Sequence, residues 1–311
     1  MRYVALGDLV ADCYYKNIGQ DKELIKIDGG SSRFNVIANL AARGNSTYVI
    51  SGCGQDLVGK IVLNNLRRLN VDTSFIIRKK NIKTRAYHLT VEGNKHICTR
   101  NCPICGNKTW YETPIVTIKY CRECIEQDDI LILDGLKTEN IPIITTFSNE
   151  KVLDIGRTKR LVNLSNQDIL NILQNKNIEI LQLNESVALY LMQRYGIEDL
   201  LSLFNMLGPK FMIVTRGKEG ADFIVKNHII HKTLIHCQRE IDDTGAGDAF
   251  FSMFIQKYYD NSKKVTRKWI DETFLLANDL TTNVVSHLGA RGHLYDGYYL
   301  ENINNCICEK N

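Results

Sequence analysis

The chain has 311 residues, 44% of them apolar and 24% charged, with a net charge of +4, which suffices for one large α/β domain or two modest ones around a real core. Only four prolines argue against long disordered linkers, and so mild a charge, spread without a basic tail, does not call for a nucleic-acid or anionic-membrane partner. No stretch approaches the roughly 18 apolar residues of a membrane span, and Asp8 and Asp12 break the apolar run of the opening MRYVALGDLVADCYYK, which reads as no signal peptide.

Taken in chain order, RYVALG reads as a strand, and DCYYKNIGQDKELIKIDGG as a hairpin. SRFNVIANLAARG has the spacing of a helix, TYVIS of a strand, and LVGKIVLNNLRRLN of a second helix. SFIIRKKNIKTRAYHLTVEG reads as another hairpin with no helix between its strands. Further on, DDILILDG, EILQL and KFMIVT are strand-like, ESVALYLMQRYG is helical, and a long amphipathic helix follows IDDTGAG. Such alternation predicts a mostly parallel sheet covered by helices on both faces. The two hairpin stretches, at approximately 13–29 and 75–127, predict a small β lid on that single domain. An exposed edge on such a lid invites pairing with a second copy, a homodimer.

Between the second hairpin and DDILILDG lies CPICGNKTWYETPIVTIKYCREC. Its two C-x-x-C pairs, Cys102, Cys105, Cys121 and Cys124, have zinc-ribbon spacing, and four thiolates would close a tetrahedron around a structural Zn²⁺. The insertion spans approximately 96–127. Cys98 and His96 stand close enough in sequence to serve as a spare ligand, although His96 fits a plain lid residue as well. Cys13, Cys53 and Cys237 read as small buried apolar residues, and Cys306 and Cys308 suggest no partner. Between Gly93 and Gln127 there are five basic and three acidic residues, so a zinc-loaded module is neutral, which argues against a nucleic-acid site. Trp110, Tyr111 and Tyr120 could stack bases, but they serve a small module's core equally well. Ten cysteines in a chain of this size, four with metal spacing, point to reduced thiols in the cytoplasm.

The stretch IDDTGAGDAFFSMFIQKYY carries the chemistry. Gly245, Ala246 and Gly247 precede a helix whose first N–H groups and positive dipole end suit a phosphate or a developing negative charge. Asp248 at the same helix start sets a proton acceptor beside that anion cradle, the pairing needed for phosphoryl transfer to a hydroxyl. Taken alone, the same residues fit a plain turn in which Asp243 or Thr244 caps the helix.

DDTGAGDAF resembles the C-terminal signature of the ribokinase-like (PfkB) carbohydrate kinases. GGSSRFNVIANLAARG resembles that family's glycine pair, asparagine and helix ending in glycine. GCGQDLVGKIVLNNLRRLNVD is similar to its G-x-D-x-x-G segment and following turn, with Asn70 in place of a glycine. IVTRGKEGA and SHLGARG resemble its nucleotide-side turn and its terminal glycine-alanine loop. The pieces stand in the family's order over nearly the whole chain, the ribbon excepted. The resemblance implies a three-layer α/β/α domain and an ATP-dependent kinase for a sugar hydroxyl, with Mg²⁺ arriving with ATP. By position it implies Asp248 as base, the amides of Gly245, Ala246 and Gly247 as anion hole, and Asp12, Gly30 and Asn35 as acceptor ligands. It places Asn184, Thr215, Gly217 and Gly220 on the nucleotide, and Asp243 and Thr244 where some members bind a monovalent cation such as K⁺. Val187 stands where the family has a magnesium-organising glutamate, with Glu185 two residues earlier, and the segment between Gly30 and Asn35 is one residue longer than the family's pattern. A nucleoside acceptor, or a non-catalytic sensor that docks a partner through the ribbon, are the other functions these residues allow.

Overall fold

The computed structural model describes residues 1–19, 21–92, 95–136, 140–174, 177–234, 240–294, 298–299 and 306–308. Its strands are β1 (Arg2–Leu6), β2 (Val10–Ile18), β3 (Asp21–Gly29), β4 (Ser46–Gly54), β5 (Ile76–Lys79), β6 (Arg85–Glu92), β7 (Lys95–Thr99), β8 (Ile130–Asp134), β9 (Lys151–Ile155), β10 (Ile178–Asn184), β11 (Phe211–Thr215), β12 (Ala221–Val225), β13 (His228–Lys232) and β14 (Tyr298–Tyr299). The helices are α1 (Ser32–Ala42), α2 (Leu57–Arg68), α3 (Ile118–Cys124), α4 (Ile141–Thr146), α5 (Asn166–Leu173), α6 (Glu185–Tyr195), α7 (Leu200–Leu207), α8 (Ala246–Asp260) and α9 (Arg267–Val285). No helix among the described residues is long and apolar enough to cross a membrane.

The chain divides into two compact units. One comprises 1–6, 125–236 and 250–280; the other comprises 7–124, 237–249 and 281–311. In the first, strands run in the order β13-β12-β11-β10-β9-β8-β1. β1, β8, β9, β10 and β11 are parallel neighbours, and β12 and β13 add antiparallel at one edge. β8 is buried along its length and β10 up to Asn184, as expected for strands covered on both faces. Phe211, Phe223, Phe254 and Trp269 form one aromatic cluster, with ring centroids 4.8–6.3 Å apart, that packs α8 and α9 on this sheet.

In the second unit β4 and β5 pair in parallel, and a separate five-stranded sheet runs β14-β3-β2-β6-β7. The first lid hairpin is β2 and β3, as its sequence predicts. The second stretch divides. Ile76–Lys79 leaves the lid to lie parallel beside β4, while β6 pairs with β2 and turns back as β7. Periodicity identifies such strands but not their partners, which explains the difference. Gln20, Gly93 and Asn94 of the lid segments, Cys237, and the side chain of His96 lie outside the described residues.

Local chemistry sets the helix ends. Asp56 caps α2 by accepting from the Gly59 N–H at 2.8 Å, and Arg67 and Arg68 stand at its negative end. Asn70, in the place of the family glycine, takes a φ of +61°. Asparagine is among the few L-residues that adopt this conformation readily, so the substitution preserves the turn.

Candidate active site

Asp248 stands in the first turn of α8, and two side chains of α1 hold it. Ser32 Oγ donates to Oδ1, and Asn35 Nδ2 donates to Oδ2 at 2.8 Å. Asn35 is oriented in turn by Arg291, whose Nε donates to Asn35 Oδ1 at 2.9 Å while Nη2 donates to the Gly30 carbonyl at 3.1 Å. A guanidinium can only donate, so the amide oxygen must face Arg291 and its NH₂ must face Asp248. Arg291 is completely buried. Sequence reasoning passed over it within SHLGARG, because nothing in spacing shows that an arginine so near the end of a chain turns inward.

The strand β2 brings Asp12, one of the expected acceptor ligands, to the same place. Asp12, on β2, is buried, and burial together with the neighbouring Asp28 carboxylate pushes its carboxyl up to about 7 against the opposing charge of Arg291. The glycine pair has a steric reason. A Cβ on Gly30 would lie 2.6 Å from an Asp12 carboxylate oxygen, and one on Gly29 would enter the Arg291 guanidinium. Ser31 absorbs the extra residue by taking a φ of +80°, a strained conformation for serine, and this sets Ser32 at the first position of α1.

Around the helix start, Gly245 has a φ of +82°, and a Cβ there would lie 2.5 Å from that of Ala290. Asp242, also passed over in the sequence, accepts from the N–H groups of Thr244 and Gly289 at 2.8 Å each, tying the α8 entry to the loop that carries Arg291. The Ala246 N–H donates to the Asp243 carbonyl at 3.1 Å, so one of the three expected anion-hole amides is engaged in a turn. A Cβ on Gly247 would meet nothing. Space over that residue is open, as the approach of an anion requires. Asp243 is exposed and Thr244 half-buried.

Asp12, Gly30, Asn35, Gly245, Ala246, Gly247 and Asp248 thus belong to one unit, and the expected nucleotide residues belong to the other. There, Asn184 and Thr215 are register partners at the carboxyl ends of adjacent parallel strands, β10 and β11, where open α/β sheets bind ligands. Asn184 caps α6 through its Oδ1, which accepts from the Val187 N–H at 2.9 Å, and its Nδ2 donates to the Gly156 carbonyl at 2.9 Å. Gly217 and Gly220 have positive φ, and a Cβ on Gly220 would strike the Lys232 carbonyl. Val187 is buried, whereas Glu185 forms an ion pair with Arg216, which also holds Asp222 at 2.7 Å.

Of the four cysteines expected to hold zinc, Cys102 and Cys105 have their sulfurs grouped with those of Cys306 and Cys308, all within 4.8 Å of one another, a group that among the described residues does not include Cys121 and Cys124. Cys121 and Cys124 are one helical turn apart on α3, both buried. Spacing of three on a helix points two thiols to one face, and here that face is core, with the Tyr48 hydroxyl donating to the Cys124 carbonyl at 3.1 Å. Cys98 is exposed, and Cys13 and Cys53 are buried as expected. Trp110 packs in the protein: the Arg85 and Arg100 guanidinium groups lie over its ring, 4.9 and 4.2 Å from the centroid, and Tyr87 is 4.7 Å away.

Comparison with known proteins bears on what this arrangement does. The profile of a family described as pfkB family carbohydrate kinase matches residues 3–294. A ribokinase of Staphylococcus aureus (strain COL) is 26% identical over 242 residues, 74% of each chain. A guanosine-inosine kinase of Exiguobacterium acetylicum is 24% identical over 261 residues, 78% of this chain and 79% of that protein. Among solved structures, a fructokinase from Xylella fastidiosa with bound ATP superposes with a TM-score of 0.75 at 14% identity, covering 94% of each chain.

Proposed function

This chain belongs to the pfkB family of carbohydrate kinases, has the ribokinase-like α/β fold with a mostly parallel sheet and is a kinase; we propose that it uses ATP to phosphorylate a hydroxyl of a small sugar, with Asp248 as general base. The observation that carries the proposal is the clamp of Asp248 by Ser32 and Asn35 at the start of α8. Both oxygens are thereby oriented at the start of the helix. A sugar hydroxyl replacing the Ser32 contact would place its proton on the base and its oxygen free to attack.

Asp12 and Asn35 fit a polyol. An ionised Asp12 accepts two hydroxyl hydrogens, each charge-assisted bond contributing about 1.5–3 kcal/mol, and Gly30 leaves its carboxylate the room it needs. Gly245 and Gly247, with Ala246 once its turn bond yields, line the negative charge that gathers on the transferring group. Asn184, Thr215, Gly217 and Gly220 take the nucleotide. Mg²⁺ carried by ATP neutralises phosphate charge; with Val187 buried and Glu185 held by Arg216, this chain offers that ion fewer carboxylates than the family motif implies. The K⁺ position at Asp243 and Thr244 rests on the resemblance. Zn²⁺ takes no step, because four thiolates would close its coordination.

The test is ADP release from Mg-ATP with a panel of sugars and nucleosides. Release with a sugar and none with nucleosides supports the proposal. A preference for a nucleoside would move the acceptor to the class of the Exiguobacterium relative.

A further inference from the structure

Four sulfurs from opposite ends of the second unit's chain converge on one point. Cys102 and Cys105 come from the loop after β7, and Cys306 and Cys308 from near the end of the chain. We infer that these four thiols, and not Cys121 and Cys124, hold one Zn²⁺ that clasps the C-terminal segment onto the lid.

The geometry suits the metal. A tetrahedron with Zn–S bonds of about 2.3 Å has S···S edges of about 3.8 Å, and the four sulfurs already lie within 4.8 Å of one another. Metal binding needs a contraction of less than an ångström or so per edge, with each thiol losing its proton to solvent as its bond to the metal forms.

One half of the site is a preformed turn. The Cys102 N–H donates to the Asn107 carbonyl, and the Gly106 N–H to the Cys102 carbonyl, each at 2.8 Å. Asn101 and Lys108 close the hairpin as an antiparallel bridge. Gly106 has a φ of +75° in open space, which a side chain would strain. The turn is docked on the lid through Thr109, whose carbonyl accepts from the Ala86 N–H at 3.1 Å and whose hydroxyl meets His88 Nε2 at 2.8 Å.

The other half comes in beside the lid sheet, where β14 pairs Tyr298 with Ile27 and Tyr299 with Lys26 on β3. Ile307 and Cys308 border a small cavity with Thr84, Ala86, Thr109 and Tyr111, and a bond from Cys308 to a metal shared with Cys102 would fix them there. Because β3 runs on to Asp28 and Gly29, the clasp would steady the strand that leads to the acceptor residues.

The direct test is metal content of reduced protein by mass spectrometry. Wild type should carry about one Zn²⁺ per chain, Cys121→Ser/Cys124→Ser should keep it, and Cys306→Ser/Cys308→Ser should lose most of it. Since the last variant could misfold, wild-type protein is also probed by alkylation. Cys102, Cys105, Cys306 and Cys308 should be protected together and become reactive together on chelation, while exposed Cys98 reacts in both states. Zinc retained by Cys306→Ser/Cys308→Ser, zinc lost from Cys121→Ser/Cys124→Ser, no zinc in reduced wild type, or disulfides among the four thiols would each overturn the inference.

Discussion

Two carboxylates of the site sit in different surroundings and should respond to different experiments. Asp248 is held by donors from Ser32 and Asn35, so Asp248→Asn should keep the fold and ATP binding while lowering kcat by about 10²–10⁴, the usual cost of losing a general base. Asp12 is buried with its carboxyl raised to about 7. It accepts two hydroxyls by charge-assisted bonds only when ionised, so acceptor KM should climb as pH falls through about 7 while KM for ATP does not follow. Arg291 opposes the rise, hence Arg291→Met should move the midpoint to higher pH, and Arg291→Lys, which keeps the charge, should move it less. The stability sign is the reverse of the usual carboxylate. With a folded value above its ordinary 3.8, Asp12 keeps its proton longer in the folded state, and its contribution to stability falls as pH rises from about 4 to about 7. Asp12→Asn should therefore raise Tm at pH 8 while impairing acceptor binding; an unchanged or lower Tm would show that Asp12 is not the strained group. These residue roles were partly legible. GAGD and the glycine pair stand out in the sequence, but Arg291 and Asp242 act through contacts with residues far along the chain, which no local pattern reveals.

At the scale of elements, the start of α8 separates packing from function. Gly245 has positive φ and touches Ala290, so Gly245→Ala should lower both Tm and activity. Gly247 has open space and lies in the helix, where alanine is favoured over glycine by about 1 kcal/mol. Gly247→Ala should thus raise Tm slightly and still depress kcat, because its methyl would fill the space meant for a phosphoryl oxygen. A fully active Gly247→Ala enzyme would place the anion elsewhere. The helix α2 is readable because burial on one face imposes a period, and β8 because burial on both faces imposes a short apolar run. Partners were harder. Ile76–Lys79 looked like half of a hairpin and pairs with β4; Cys121-x-x-Cys124 looked like half of a zinc site and is the buried side of a short helix. Both spacings are compatible with two local structures, and only distant packing decides between them.

At the scale of the whole molecule, the proposed acceptor and base residues belong to one compact unit and the proposed nucleotide residues to the other. Chelation that strips the inferred zinc should therefore weaken acceptor binding while ATP affinity, followed by titration calorimetry, stays within about twofold, since no thiolate belongs to the nucleotide unit. Equal loss of both affinities would mean that the metal supports the entire fold. The family's order of motifs made the overall architecture legible, while the acceptor stayed ambiguous because sugars and nucleosides present similar hydroxyls to an aspartate and an asparagine. The most direct measurement is ADP release by wild type and Asp248→Asn side by side, with Mg-ATP and the sugar and nucleoside panel. Phosphorylation of a sugar by wild type, reduced at least about 10²-fold in the variant with ATP binding intact, is the expected result; an Asp248→Asn enzyme that phosphorylates its acceptor at the parental rate would contradict the assignment of the base.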